Sequence, residues 1–260
     1  MKLNVDEIKS YINQKHKYMP IFVYNSTNST NTQAKLYAEN TSTVSAVFIS
    51  EEQTAGRGRL GKNFISTSGK GLYLSLLINN KYQANEALNL TTYMAVVASS
   101  LIEELSGLDV KIKWVNDLYI NNKKLSGILT EGKINSDGTL DYAIIGIGIN
   151  LYTQDYPDEI KSIATDIETE SGKTININAI AGKLINNFLN GLHILGSEQI
   201  ATRYKERSFL TGKQVIVIKP TEQYNATVLD ICDNCALKIQ KEDGSTELLT
   251  SGEVSLKPIK

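Results

Sequence analysis

Apolar positions along the chain follow two periods, one near 3.6 and one of 2, and their alternation lays out its elements. Leu3, Ile8 and Ile12 recur at helical spacing over residues 2–16, and Pro20 closes that region. IFVY (21–24) predicts a short strand, and NSTNSTNTQAKLYAEN (25–40) predicts a helix that its leading hydroxyl and amide side chains would cap. TVSAVFIS (43–50) reads as a buried strand. Residues 51–70 carry Gly, Ser, Lys and Arg with no apolar period, which predicts a long loop; loops of that length inside a domain are usually functional. GLYLSLLI (71–78) is a strand, and the largely apolar stretch 85–107 is a helix ending at Gly107.

KIKWV (111–115), DLYI (117–120), KLSGILTEG (124–132) and LDYAIIGIGIN (140–150) predict four strands, with a turn at Asn121–Asn122. Helical spacing returns over 177–195 and 198–209. Beyond Gly212 the pattern is of short strands, QVIVIK, NATVLDI, CALKIQ and ELLTSGEVSLKPI, with turns at Asn234–Cys235 and Asp243–Gly244. The order predicts an α+β chain: a body of strands and helices over 1–211, and a small all-β domain over 212–260. The tandem STN-STN is too short to signal a repeat architecture.

Composition narrows the function classes. An apolar fraction of 41% and a charged fraction of 21% are those of a globular chain of 260 residues. The formal net charge of −1 supplies no basic field to draw nucleic acid or an anionic membrane. The amphipathic, charged start lacks the apolar core of a signal peptide, and the apolar runs are strand-sized, so a cytoplasmic chain with no membrane partner is expected. The N-x-S/T triplets at Asn25, Asn28, Asn40 and Asn225 therefore count as composition. Cys232 and Cys235 form a CxxC, but no second pair completes a zinc site. Their surroundings read strand, turn, strand, so the pair is read as part of a hairpin.

Candidate chemistry lies in three segments. Gly56, Gly58 and Gly61 satisfy GxGxxG, and Gly56 to Lys62 satisfy GxxxxGK. Either pattern needs a following helix to receive phosphate, and a P-loop also needs Ser or Thr after the Lys. Here Asn63 follows, and the chain runs on into a strand, so both readings fail. What remains is a glycine-spaced loop carrying Arg57 and Arg59, suited to close anion contacts or simply solvated. The second segment holds the only Trp, Trp114, then Asn116 and Asp117, and a hairpin that brings Lys124 onto a strand. Strand alternation puts Lys124 and Ser126 on one face and Leu125 and Gly127 on the other. Lys124 either caps that strand at the surface or meets an anion in a cleft. In the third segment, Gly146 and Gly148 interrupt a run of isoleucines, which suggests close approach by a ligand or another backbone, and Asn150 ends it.

Taken in order, STNT, QTAGRGRLG, KWVNDLY with KKLSG, and GIGIN resemble the biotin protein ligase family over essentially the whole chain, including the closing LTSGEVSLKPI. The resemblance implies a mixed β-sheet flanked by helices, like class II aminoacyl-tRNA synthetases, with a small C-terminal SH3-like β-barrel. It implies that biotin and ATP form biotinyl-5′-AMP and pyrophosphate, and that biotin passes to a lysine of a biotin carboxyl carrier protein, with Mg²⁺ assisting. By matching positions, Ser29, Thr30, Asn31, Gln53, Gly56, Arg57, Gly58, Arg59, Lys124 and Gly127 would meet biotin. Arg59, Phe64, Trp114, Asn116, Asp117, Lys124 and Asn150 would meet ATP or the adenylate. Arg57, Arg59 and Lys124 would be catalytic, and Asp117 would lie near the metal. The earlier STN copy, 26–28, is a rival register; the later one is preferred because the helix follows it directly.

Val115 stands where the family usually has Pro, which implies a less rigid turn, and Phe64 stands where many members have Trp. The stretch before Ser29 is too short for a three-helix DNA-binding domain, so the resemblance implies the monofunctional kind with no DNA partner. Edge strands of the central sheet are compatible with a homodimer. The closest rival of the same fold is a lipoate or octanoate ligase or transferase; from another class, a non-catalytic biotin- or nucleotide-binding regulator.

Overall fold

Seven strands join in one sheet in the order β1-β2-β3-β7-β6-β5-β4. They are β1 (Ile21–Tyr24), β2 (Ala46–Ser50), β3 (Gly71–Ile78), β4 (Lys111–Lys113), β5 (Asp117–Ile120), β6 (Lys123–Ile134) and β7 (Leu140–Asn150). β1 and β2 run parallel and every other pair is antiparallel, so the sheet is mixed, as the family resemblance implies. The computed structural model describes residues 2–41, 45–79, 82–83, 86–219 and 221–256. The expected strand start at 43–44 and the closing residues 257–259 lie outside them.

The helices are α1 (Val5–Ser10), α2 (Thr30–Asn40), α3 (Ala87–Ser106), α4 (Asp158–Lys161), α5 (Ile167–Ser171), α6 (Ile177–Asn190) and α7 (Glu198–Arg207). α3 and α6 pack on one face of the sheet and α2 on the other. β7 is buried on both faces, which is why it reads as nearly continuous isoleucine rather than an alternation. Ile145, Ile147 and Ile149 enter the large core with Ile128, Leu118 and the α3 and α6 side chains. Ile144 enters a smaller core with Phe48, Leu77, Ala34 and Ala38 beneath α2.

Two local signals hold as read. α3 ends at Gly107, whose φ of +79° closes the helix with a hydrogen bond to the Glu103 carbonyl. Asn121 and Asn122 both take positive φ, +49° and +62°, the conformation a two-residue hairpin needs. Three expectations change, and two short helices were not anticipated. The first helix covers only Val5–Ser10, with a separate 3₁₀ turn at Gln14–His16. KIKWV stops as a strand at Lys113, because residues 114–116 form a turn. The last apolar run splits into two strands at Gly252, whose φ is +109°. α4 and α5 are single turns, too short to show a period; Asp166 caps α5 by accepting from the Thr169 N–H.

Beyond α7 the chain forms β8 (Gln214–Ile218), β9 (Gln223–Ile231), β10 (Leu237–Lys241), β11 (Thr246–Leu249) and β12 (Glu253–Leu256). They make an antiparallel sheet in the order β11-β10-β9-β8-β12. Alternate residues such as Val215, Val217, Val228 and Ile239 turn inward, and this core merges with that of the body. At the joint, the buried Trp114 indole Nε1–H donates to the Cys235 carbonyl at 2.9 Å; within the body, the Tyr204 hydroxyl fixes the neighbouring Val115 carbonyl at 3.0 Å. The CxxC is a hairpin turn of free thiols, closed by the Cys235 N–H on the Cys232 carbonyl. Among the described residues, no helix is long and apolar enough to cross a membrane.

Candidate active site

The cleft opens on the α2 face of the large sheet. Its walls are the start of α2, the 51–70 loop and the ends of β4 to β7, with β12 at the far rim, and it holds roughly 870 Å³ of space, partly open to solvent. Its floor follows from strand register. Tyr73, Gly148, Gly127, Asp117 and Lys113 are paired in succession across β3, β7, β6, β5 and β4, so they form one row. The two glycines leave the middle of that row empty. Phe64 from the loop lies in the trough, so close over Gly148 that a Cβ there would collide with its ring. One step along, Gly146 makes the same allowance for the Asn31 amide. The glycines that interrupt the isoleucine run thus answer to a backbone-level fit.

One end of the cleft is rich in neutral hydrogen-bonding groups, with the Arg57–Glu131 ion pair beside them. The Thr30 N–H and hydroxyl both donate to Gln53 Oε1, at 2.8 and 3.1 Å, and Gln53 Nε2 donates to Ser66 at 2.8 Å. This corrects the expected capping: Ser29 occupies the cap position of α2 but makes no side-chain cap bond, and Gln53 receives the helix's first N–H instead. The buried Ser75 hydroxyl lies 2.7 Å from Thr30 Oγ1 and 2.6 Å from Asn31 Oδ1. Asn31 Nδ2 donates to Glu131 at 2.8 Å, and the other Glu131 oxygen pairs with Arg57 at 2.7 Å.

The other end is cationic. Arg59 donates to Asn116 Oδ1 at 3.3 Å, and Asn116 is fixed by its own Nδ2 on the Ile128 carbonyl at 2.8 Å. Lys124 Nζ lies 2.8 Å from Asp117 Oδ1. That buried oxygen has no hydrogen bond of acceptable direction, so its pairing with Lys124 is electrostatic. Burial lowers the pKa values of both Arg59 and Lys113, against the opposing pull of Asp117 and Glu253. Lys62 of the loop bonds Glu253 of β12 at 2.5 and 2.8 Å, which ties the C-terminal sheet to the cleft.

Strand alternation misplaces Lys124. In β6, Leu125 is an extra residue: Leu118 pairs with Ser126, and Tyr119 with Lys124. The bulge turns Leu125 and Ser126 to the core side and brings Lys124 onto the cleft face, where Nζ would sit 3.3 Å from a Cβ at Gly127. Lys124 and Gly127 therefore share a face.

Ser29, Thr30, Asn31, Gln53, Arg57, Gly58, Arg59, Phe64, Trp114, Asn116, Asp117, Lys124 and Gly127 all line the cleft. Gly56 and Asn150 do not. Gly56 packs beneath the loop, where a Cβ would strike the Phe64 carbonyl, and Asn150 is buried with its Nδ2 on the Thr165 carbonyl at 2.9 Å. The later STN copy is the one in the cleft. Lys113, Ser75, Glu131 and Glu253 were not anticipated. Ser75 had a faint signal, a lone hydroxyl in an apolar strand, and so had Lys113, opposite in phase to the buried Ile112. Glu253 had none, since its contact joins positions 191 residues apart.

Two family models match the chain: the biotin/lipoate A/B protein ligase family over residues 23–150, and the biotin protein ligase C terminal domain over 210–257. The bifunctional ligase/repressor BirA of Bacillus subtilis is 35% identical over 177 residues, 67% of this chain and 54% of that protein, so the chain spans about half the length of this relative. The biotin–[acetyl-CoA-carboxylase] ligase of Paracoccus denitrificans is 26% identical, covering 88% of this chain and 97% of its own. Among solved structures, the biotin protein ligase from Aquifex aeolicus in complex with biotin and ATP superposes with a TM-score of 0.76 at 26% identity, covering 92% and 99% of the two chains.

Proposed function

The chain belongs to the biotin protein ligase family, and from that premise we propose that it activates biotin with ATP and passes it to a lysine of a biotin carboxyl carrier domain. The observation that carries this reading is the meeting, in one cleft, of a neutral hydrogen-bonding end and a cationic end. Biotin has the same division: a ureido ring that donates and accepts, and a carboxylate at the end of an apolar chain. Thr30, Asn31 and Gln53 suit the ring, with buried Ser75 bonded behind them, while Lys124, Arg57 and Arg59 suit the carboxylate and the phosphate it must meet.

The chemistry joins the biotin carboxylate to the α-phosphorus of ATP, giving biotinyl-5′-adenylate and releasing pyrophosphate. Two unit anions brought to ~4 Å repel by about 4 kcal/mol at an effective dielectric near 20. Lys124, Arg57 and Arg59 offset that repulsion and align the attack, so no side-chain nucleophile is required. Phe64 and Trp114 offer aromatic surface beside the polar row for the adenosine, with Asn116 as a polar neighbour. The acceptor lysine amine then attacks the mixed anhydride and AMP leaves, with the 51–70 loop limiting water in the interval.

Asp117 is the residue that would hold a magnesium ion: its buried Oδ1 makes no hydrogen bond and has Lys124 Nζ as its charge partner at 2.8 Å; among the described residues no cluster of three or more metal-ligating side chains exists. Such an ion would supply charge neutralisation at the phosphates.

The test is pyrophosphate release and label transfer with ATP, biotin or lipoate, and a carrier domain. Release dependent on biotin, with biotin reaching the carrier, is the expected result. Transfer of lipoate but not biotin, or no release at all, overturns the reading.

A further inference from the structure

The cations of the cleft are not equivalent. Arg57 is paired with Glu131, Lys62 with Glu253 and Lys124 with Asp117, while Arg59 donates to Asn116. Among the described residues, Lys113 alone of these five has neither an ion pair within 4.0 Å nor a hydrogen bond; its ammonium stands 5.6 Å from the Tyr119 ring centre. Yet it is half-buried and faces the cleft. A half-buried ammonium held only by a ring face and by carboxylates beyond contact distance is better satisfied when an anion arrives.

Its position says which anion. The neutral pocket sits over β3 and β7, where Gly146 makes room for Asn31. Lys124 stands over β6 beside Gly127, Asp117 is on β5, and Lys113 is directly across from Asp117 on β4, the last strand of the sheet. Strands lie about 4.8 Å apart, so β4 is some 14 Å beyond β7. A substrate with its ring over β7 and its carboxylate at Lys124 places the α-phosphorus near β6 and β5. The bond that breaks, between the α-phosphorus and the bridging oxygen, then points its leaving group toward β4.

We propose that Lys113 is the leaving-group cation, holding the β- and γ-phosphates of ATP and the pyrophosphate they become. The proposal rests on the ATP-dependent reading above. As the bridging oxygen takes up the bonding electrons, charge builds on the departing pyrophosphate, and a point charge on a short strand meets it without help from the loop. Burial, which lowers the Lys113 pKa, also makes an arriving polyanion the better partner.

The experiment separates the two half-reactions in Lys113→Met, Lys113→Arg and the wild type, with melting temperatures as a check on folding. Lys113→Met is expected to raise the inhibition constant of added pyrophosphate by about tenfold or more and to slow adenylation, with Lys113→Arg restoring part of each. Transfer from chemically prepared biotinyl-5′-adenylate to a carrier domain should proceed at the wild-type rate, because no pyrophosphate takes part in it. Unchanged pyrophosphate inhibition in Lys113→Met, or equal losses in both half-reactions, overturns the proposal. A wild-type protein that releases no pyrophosphate with biotin and ATP counts instead against the function on which it rests.

Discussion

Lys124 reaches the cleft only because β6 carries one extra residue opposite β5, and its side chain then lies over a glycine instead of a methyl group. Its neighbour Asp117 is held 2.8 Å away without a directional hydrogen bond, an arrangement that an incoming carboxylate or phosphate can displace. Lys124→Ala is therefore expected to slow single-turnover adenylation by about 10²–10³-fold, the scale for losing one preorganised charge at a reacting centre. Because Lys124→Ala also leaves the buried Asp117 oxygen unpaired, the melting temperature should fall as well, so single-turnover rates are compared at a temperature where both proteins are folded. Adenylation near the wild-type rate would remove Lys124 from the role proposed for it. The residue types at this scale were legible in the chain, including the two arginines and the glycines at 127, 146 and 148. The facing of Lys124 was not, because a bulge inverts the alternation and leaves no mark in residue order.

Between elements, capping and strand ties are made by residues distant in sequence. α2 begins at the expected STN, but its first N–H is received by Gln53 of the loop, which couples the helix start to the segment carrying Arg57 and Arg59. A local rule sees a serine before a helix; it does not see a glutamine 23 residues on. In the C-terminal sheet, Glu247 of β11 accepts from Lys219 at 2.6 Å, from the Tyr224 hydroxyl at 2.8 Å, and pairs with Lys241 at 2.9 Å. The Lys219 and Lys241 contacts hold its pKa down to about 2, from an ordinary 4.5. A depressed carboxylate stabilises the fold above its unfolded value, and that contribution is lost as pH falls from 4.5 toward 2. Glu247→Gln should therefore show a smaller fall in melting temperature than the wild type between pH 5 and 2. Parallel pH curves for the two proteins would show that this cluster does not govern acid stability.

Over the molecule as a whole, the smaller sheet is fused to the body through the Trp114–Cys235 bond and a shared core, and it reaches the cleft through Glu253. Trp114→Phe keeps the aromatic surface but removes the donor to the buried Cys235 carbonyl, at a cost of about 1–3 kcal/mol. The calorimetric midpoint should fall by about 2–4 °C for each kcal/mol. An unchanged midpoint would mean that this bond does not help hold the two sheets together.

Periodicity, turn chemistry and the motif order determined the strands and long helices, the change of pattern after Gly212 and the family. These depend on near neighbours in the chain, where spacing alone carries the physics. Tertiary structure decided which faces meet: the glycine trough that receives Phe64, the bulge that turns Lys124, and the unpaired Lys113 at the sheet's end. Each arises from strands paired across long separations, so only the folded sheet puts their residues in one row.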